Sequence, residues 1–181
     1  MKNFSRPDLT PGPVRYTGNQ LDVALEAPGF FKVQTSKGIK YSKDGSFTLN
    51  KDQFLVNQRG DTVLGQGGPI QITGNKVSIS TDGSVVVDDA PLDRILVVDF
   101  KHPQLLTKEG SSYFTYKGEE QDISTAENVN ILQGYIETSN VNPTEEMIKM
   151  LETFRVFESA QKAIQSLDEI TGKMVNDQGI F

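Results

Sequence analysis

The sequence predicts a mainly β fold, an irregular β-sandwich or barrel-like domain of short antiparallel strands, followed by a long C-terminal α-helix. Three observations predict it. Turn pairs such as Asp44-Gly45, Gly67-Gly68 and Asp82-Gly83 punctuate about ten short stretches between Leu21 and Tyr116, which puts a turn every eight to twelve residues, as in sandwiches and barrels. The stretches between them alternate apolar and polar residues, the period of a half-buried strand. Beyond residue 142 that period gives way to a helical one.

Taken in order, residues 1–18 hold Pro7, Pro11 and Pro13 and no apolar period. They read as an extended lead-in, the remnant of a connection to something upstream. Residues 19–136 read as the β domain. In "LDVALEAPGFFKV" the alternation meets the turn pair Pro28-Gly29, and in "IKYSKDGSFTL" it flanks Asp44-Gly45, a two-residue hairpin signal. "RGDTVLGQGGPIQI" places turns at Gly60 and Gly67-Gly68, and "KVSISTDGSVVVDD" repeats the hairpin device at Asp82-Gly83. Ile95–Val98 is an apolar run suited to a central strand, and "SSYFTYKG" is one more alternating piece. About ten strands are expected between Leu21 and Tyr116 on this spacing. The polar, Asn-rich stretch after Ile123 reads as a connector with a last strand around Ile131–Ile136.

Residues 137–181 read as helix and tail. Asn142 suits the N-cap, Pro143 the first helical position, and Glu145 the third, where its carboxylate reaches back to the cap. Gly172 is the expected stop, which gives about 30 residues and a rod of roughly 45 Å. At about 100° per residue, Met147, Met150, Leu151, Phe154 and Phe157 form one stripe. Ala160, Ala163, Ile164, Leu167, Ile170 and Met174 form a second, turned by roughly 140°. A coiled-coil geometry reduces that angle without removing it. One flat surface cannot cover both stripes, so the helix calls for at least two neighbours; packing on its own β segments is the alternative.

Composition excludes more than it identifies. With a net charge of −6 and no long Lys/Arg run, the chain is poorly suited to phosphate backbones. It has no cysteine, which removes disulfides, thiolate nucleophiles and Cys-based zinc sites. No stretch has the apolar length of a membrane span, and the N-terminus has no signal-peptide core. His102, the single histidine, precedes a proline at a strand end and reads as a surface or packing residue. The acid pairs Asp88-Asp89 and Glu119-Glu120 lie at polar turns. "GQGGP" lacks the Lys-Ser/Thr ending of a phosphate loop, Asp44-Gly45-Ser46 lacks the other calcium-loop positions, and Arg59-Gly60-Asp61 reads as a hairpin turn. No nucleophile, base and oxyanion donor come together, so neither an enzyme nor a cofactor or metal is expected.

Three stretches carry a resemblance. "LQGYIETSNVNPTEEMIKMLETFRVFESAQKAIQSLDEI", residues 132–170, closely resembles the C-terminal signature of the bacterial flagellar axial proteins of rod and hook, through Ser-Asn-Val-Asn, Glu-Glu-Met and the Arg-x-Phe-Glu of Arg155–Glu158. "GPVRYTGNQLDVALEAPGFFKV", residues 12–33, is similar to the segment that opens the β region of rod proteins, and "YSKDGSFTLN", residues 41–50, to the hairpin after it. The ending "DEITGKMVNDQGIF" is most similar to the proximal branch of the rod proteins, with the distal branch second. Pro28 departs from the family, which generally carries a residue such as Asp there. An apolar N-terminal helix that pairs with the C-terminal one, and serves as export determinant, is a family feature with no counterpart in residues 1–18.

The resemblance implies a structural subunit of the periplasmic rod in the basal body, exported through the flagellar apparatus. It would assemble helically with its own copies and other rod and hook proteins to transmit torque for motility, its β domain on the outer wall and its helix inside. Met147, Met150, Leu151, Phe154, Phe157, Ile164, Leu167 and Ile170 are the expected partner interface. No nucleic acid, small-molecule substrate or membrane span is expected, and the chain alone should be monomeric or weakly associated. A reading from another class is a β-sandwich recognition module, such as an adhesin, on a helical stalk. It predicts a groove lined by exposed Tyr41, Tyr113 and Tyr116.

Overall fold

The computed structural model describes residues 12–110, 112–126, 128–138 and 143–177, with backbone alone for residues 143, 146 and 168–177. The chain divides into two compact units, Met1–Asn140 and Val141–Phe181.

The described part of the first unit is built from short strands: β1 (Val14–Tyr16), β2 (Val23–Leu25), β3 (Phe30–Thr35), β4 (Gly38–Ser42), β5 (Phe47–Leu49), β6 (Leu55–Asn57), β7 (Thr62–Gly65), β8 (Gly68–Pro69), β9 (Val77–Ile79), β10 (Ser84–Val87), β11 (Ala90–Arg94), β12 (Val97–Phe100), β13 (Leu106–Glu109), β14 (Tyr113–Tyr116), β15 (Ile123–Thr125), β16 (Ile131–Gln133) and β17 (Tyr135–Glu137). The main sheet runs β13-β14-β4-β3-β7-β6-β5, with β12 joining β3 to β15 and β8 paired to β7. A three-stranded sheet runs β11-β10-β9, and β1-β17 and β2-β16 form two ribbons. Among the described residues the pairings are antiparallel, and no barrel closes.

Strand β3 explains why the unit has two cores. Successive side chains on a strand point to opposite faces. Phe31 and Val33 therefore join Val23, Phe47, Leu55, Val63, Ile70 and Val85 in the larger core. Phe30 turns the other way, into a smaller aromatic core with Tyr41, Phe100, Leu106 and Phe114. There the rings meet edge to face, Phe30 with Phe100 at 5.4 Å and with Phe114 at 5.2 Å, and Tyr41 with Phe100 at 4.8 Å. Such pairs add roughly 0.5–1.5 kcal/mol beyond the area they bury.

The two Asp-Gly-Ser turns part company. Asp82-Gly83 closes the β9–β10 hairpin, with the Ser80 N–H donating to the Ser84 carbonyl at 2.9 Å. Asp44-Gly45 closes none, because both edges of β4 are already taken by β3 and β14, so β5 pairs with β6 instead. The segment turns a corner and lays its backbone on β2. The Gly45 carbonyl accepts the Val23 N–H at 3.0 Å, and a Cβ at Gly45 would stand 1.9 Å from the Val23 carbonyl oxygen. Glycine is required there for close approach.

The structure corrects the sequence expectations elsewhere. The segment read as an extended lead-in contains a strand, since β1 lies within residues 1–18 and pairs with β17. Thirteen strands, β2 to β14, lie between Leu21 and Tyr116 among the described residues, more than the ten expected, because pieces such as β8 and β13 are too short or too polar to show an apolar alternation. Asp88 and Asp89 form a two-residue hairpin turn between β10 and β11 with φ of 49° and 65°, positive at both positions as a type I′ turn requires.

The described part of the second unit is α1 (Pro143–Asp177), a helix of 35 residues. It passes through Gly172, the expected stop. A single helical glycine costs only about 1 kcal/mol relative to alanine, and helix-compatible residues flank it on both sides. The expected Asn142 cap lies outside the described residues. No helix among the described residues is long and apolar enough to cross a membrane.

Candidate assembly surface

Along α1 the described apolar side chains are open to solvent. Met150 is 69% exposed, Leu167 63%, Phe154 and Phe157 58% each, and Met147, Leu151 and Ile164 are similarly exposed. Ile170 lies in the helix, but its side chain is outside the described residues. Fully covering a Phe, Leu or Met side chain is worth roughly 1.5–3 kcal/mol, so this is a large unrealised stabilisation on one element. Ile148 and Val156 are exposed as well. At about 100° per residue Ile148 falls between the two stripes, while Val156 falls in line with the second and extends it into the first half of the helix. One local bond faces along the axis, from the Thr153 hydroxyl to the Lys149 carbonyl at 2.8 Å.

Within the first unit, the ribbon of β1 and β17 holds the strand that precedes the helix-bearing segment. The Thr138 N–H donates to the Pro13 carbonyl at 2.9 Å, and the Gly12 N–H to the Glu137 carboxylate at 2.9 Å. At the ribbon's far end Gly134 is a node. Its carbonyl accepts the N–H groups of Thr17 (2.8 Å) and Gly18 (3.2 Å), while its own N–H donates to the Asp22 carbonyl at 2.8 Å. The buried Asp22 carboxylate accepts the Thr17 hydroxyl at 2.6 Å and the Asn19 amide at 3.1 Å. Beside it the Gln133 side chain behaves like a short strand. Its carbonyl accepts the Ile79 N–H at 3.1 Å, and its amide donates to the carbonyls of Val77 (3.0 Å) and Gln20 (2.8 Å). Sequence reasoning missed this node; the signal was Gln-Gly set between apolar Leu132 and Tyr135.

The residues that a recognition module would use are occupied internally. Tyr41 and Tyr113 are buried, and Tyr116 is half-buried against Phe100 at 4.7 Å. The Tyr113 hydroxyl donates to the Asp61 carboxylate and accepts from the Asn57 amide at 2.5 Å, while the Arg59 guanidinium lies 4.9 Å over the Tyr113 ring. Arg59-Gly60-Asp61 is thus the β6–β7 turn, spent on clamping β14. Burial first, and then the bond to Asp61, push the Tyr113 phenol up. Burial, followed by the charge of Glu120, does the same to Tyr41.

The remaining candidates are local devices too. His102 contacts Gln104 at 3.5 Å, at the start of a short 3₁₀ turn. The Asp88 carboxylate accepts the N–H groups of Asn75 and Lys76, and Glu119 accepts the Gln121 amide. In "GQGGP" the Gly67 N–H is bonded to the Asp93 carboxylate at 3.2 Å. Among the described residues no three His, Cys, Asp or Glu gather for a metal. An open depression of about 700 Å³, lined by Pro13, Val14, Leu25, Ala27 and Val129 with Glu26, brings no convergent charges together.

Two family models match. The model described as flagellar basal body rod FlgEFG protein C-terminal covers residues 132–177, from the Gln133-Gly134 node through α1. The flagellar hook protein FlgE/F/G D1 domain covers residues 24–87. The flagellar basal-body rod protein FlgF of Caulobacter vibrioides is 34% identical over 178 residues, covering 95% of this chain and 71% of that protein. FlgF of Salmonella typhimurium is 31% identical over 181 residues, with 92% and 71% covered. FlgG of Bacillus subtilis is 33% identical over 177 residues, with 88% and 66% covered. The match runs through both the β strands and the helix, and the chain belongs to the flagellar basal-body rod protein family that includes FlgF and FlgG.

Proposed function

We propose that this chain works as a structural subunit of the basal-body rod, with residues 19–136 as its β domain and residues 137–181 as its assembly element. It is not an enzyme. Met147, Met150, Leu151, Phe154 and Phe157 bind one neighbour, and Ile164, Leu167 and Ile170, on the second stripe, bind another. The neighbours are its own copies and other axial proteins, and torque passes through many such contacts repeated along a helical lattice. The exposure of Phe154 and Phe157 carries the reading, since two aromatic side chains on one stripe of a long helix are stabilised only by a partner.

The test replaces both, Phe154→Asp with Phe157→Asp, in the gene that encodes the chain. The purified variant should melt like the original. It should be absent from isolated basal bodies, and motility should be lost. Incorporation at the original level would overturn the reading.

A further inference from the structure

Met147 and Met150 stand about one helical turn apart on α1, 64% and 69% exposed, beside Leu151 and Phe154. The chain has no cysteine, so methionine is its only sulfur. We propose that Met147 and Met150 form an oxidant-sensitive modification site, at which sulfoxidation by a hydroperoxide before assembly disables the Met147–Phe157 stripe. The inference rests on the reading that this stripe binds a neighbouring subunit.

The chemistry is a two-electron oxygen transfer. A sulfur lone pair attacks the terminal peroxide oxygen, the O–O bond breaks as an S–O bond forms, and the proton on the transferred oxygen passes, through water, to the oxygen left behind, which departs as water or an alcohol. A thioether is apolar, flexible and polarisable, and packs against varied partners. A sulfoxide is polar and chiral, and burying it without a donor leaves its oxygen unsatisfied. Because the two residues are three apart, both oxygens would fall on one contact, next to aromatic and aliphatic groups that the oxidant leaves unchanged. A covered stripe shields its sulfurs, so the sensitivity belongs to the unassembled subunit.

The test pulses growing cells with hydrogen peroxide. Mass spectrometry then compares sulfoxide at Met147 and Met150 in the free pool with that in subunits isotopically labelled before the pulse and built into basal bodies after it. The free pool should carry roughly fivefold more or greater, the ratio expected if a polar group opposes burial. Met147→Leu with Met150→Leu conserves volume and helix propensity without sulfur, and should be incorporated equally with and without the pulse. Methionine sulfoxide reductases with a dithiol should return the oxidised chain to assembly. Equal sulfoxide in the two pools, or an equal loss of incorporation by the leucine variant, would sink the inference alone. Normal assembly of the Phe154/Phe157 variant would remove the stripe reading and this inference with it.

Discussion

The carbonyl of Gly134 accepts the Thr17 N–H at 2.8 Å and the Thr17 hydroxyl at 3.2 Å, across 117 residues of sequence. Gly134 holds this position with φ of 80°, a left-handed conformation that side chains other than glycine rarely adopt. Gly134→Ala would also place a Cβ 3.3 Å from the Tyr16 ring. Urea unfolding should show a loss of about 1–2 kcal/mol, with β1 losing amide-exchange protection first.

Gly45→Ala is expected to be worse, for a different reason. The left-handed region plays no part; the added methyl meets the Val23 carbonyl oxygen at 1.9 Å, and β2 must move to admit it. A loss of about 3 kcal/mol or more is expected, seen as a lower melting temperature and poor recovery of soluble protein.

Tyr113→Phe keeps the ring under Arg59 but removes the hydroxyl shared by Asn57 and Asp61. The buried Asn57 amide then loses a partner while its carbonyl still accepts the N–H groups of Arg59 and Asp61. The expected cost in urea is about 1–3 kcal/mol, with the β6–β7 turn intact by amide exchange. A neutral effect would mean that the turn holds without its clamp.

The phenols of Tyr41 and Tyr113 are raised above the ordinary value of about 10, chiefly by burial. Folding therefore favours their neutral form. The stability this contributes is fully present below about pH 10 and is lost as pH rises through the folded values. Urea midpoints should fall steeply on the alkaline side, and Tyr41→Phe should flatten that fall. At the acid end, bonds from Lys40 and then Thr115 hold the Glu109 carboxyl below its usual range. That contribution is present above the ordinary Glu value and lost as pH falls through the lowered one, so Glu109→Gln should soften the acid limb.

The helix was legible because its signals are local: Pro143 and Glu145 at the start, then an apolar period sustained for many turns. The β class was legible from turn spacing. Pairing was not, because partners are chosen by edges that the sequence does not display. Asp44-Gly45-Ser46 and Asp82-Gly83-Ser84 offer the same local chemistry. Only the second becomes a hairpin, since β4 already has β3 and β14 at its edges. Gly172 was misjudged because a helix can carry one glycine when its neighbours favour continuation. The Gln133 contacts to Ile79, Val77 and Gln20 join segments far apart in sequence, and no period or propensity announces them.

Because Val14–Tyr16 and Tyr135–Glu137 run side by side, the backbone enters and leaves the β unit through a single doorway. Whatever lies between those strands hangs from the doorway as a side branch. Loops there can lengthen, or whole modules be grafted in, without moving the two threads that pass through it. The girth of such a subunit is therefore free to diverge while its gateway keeps the same dimensions.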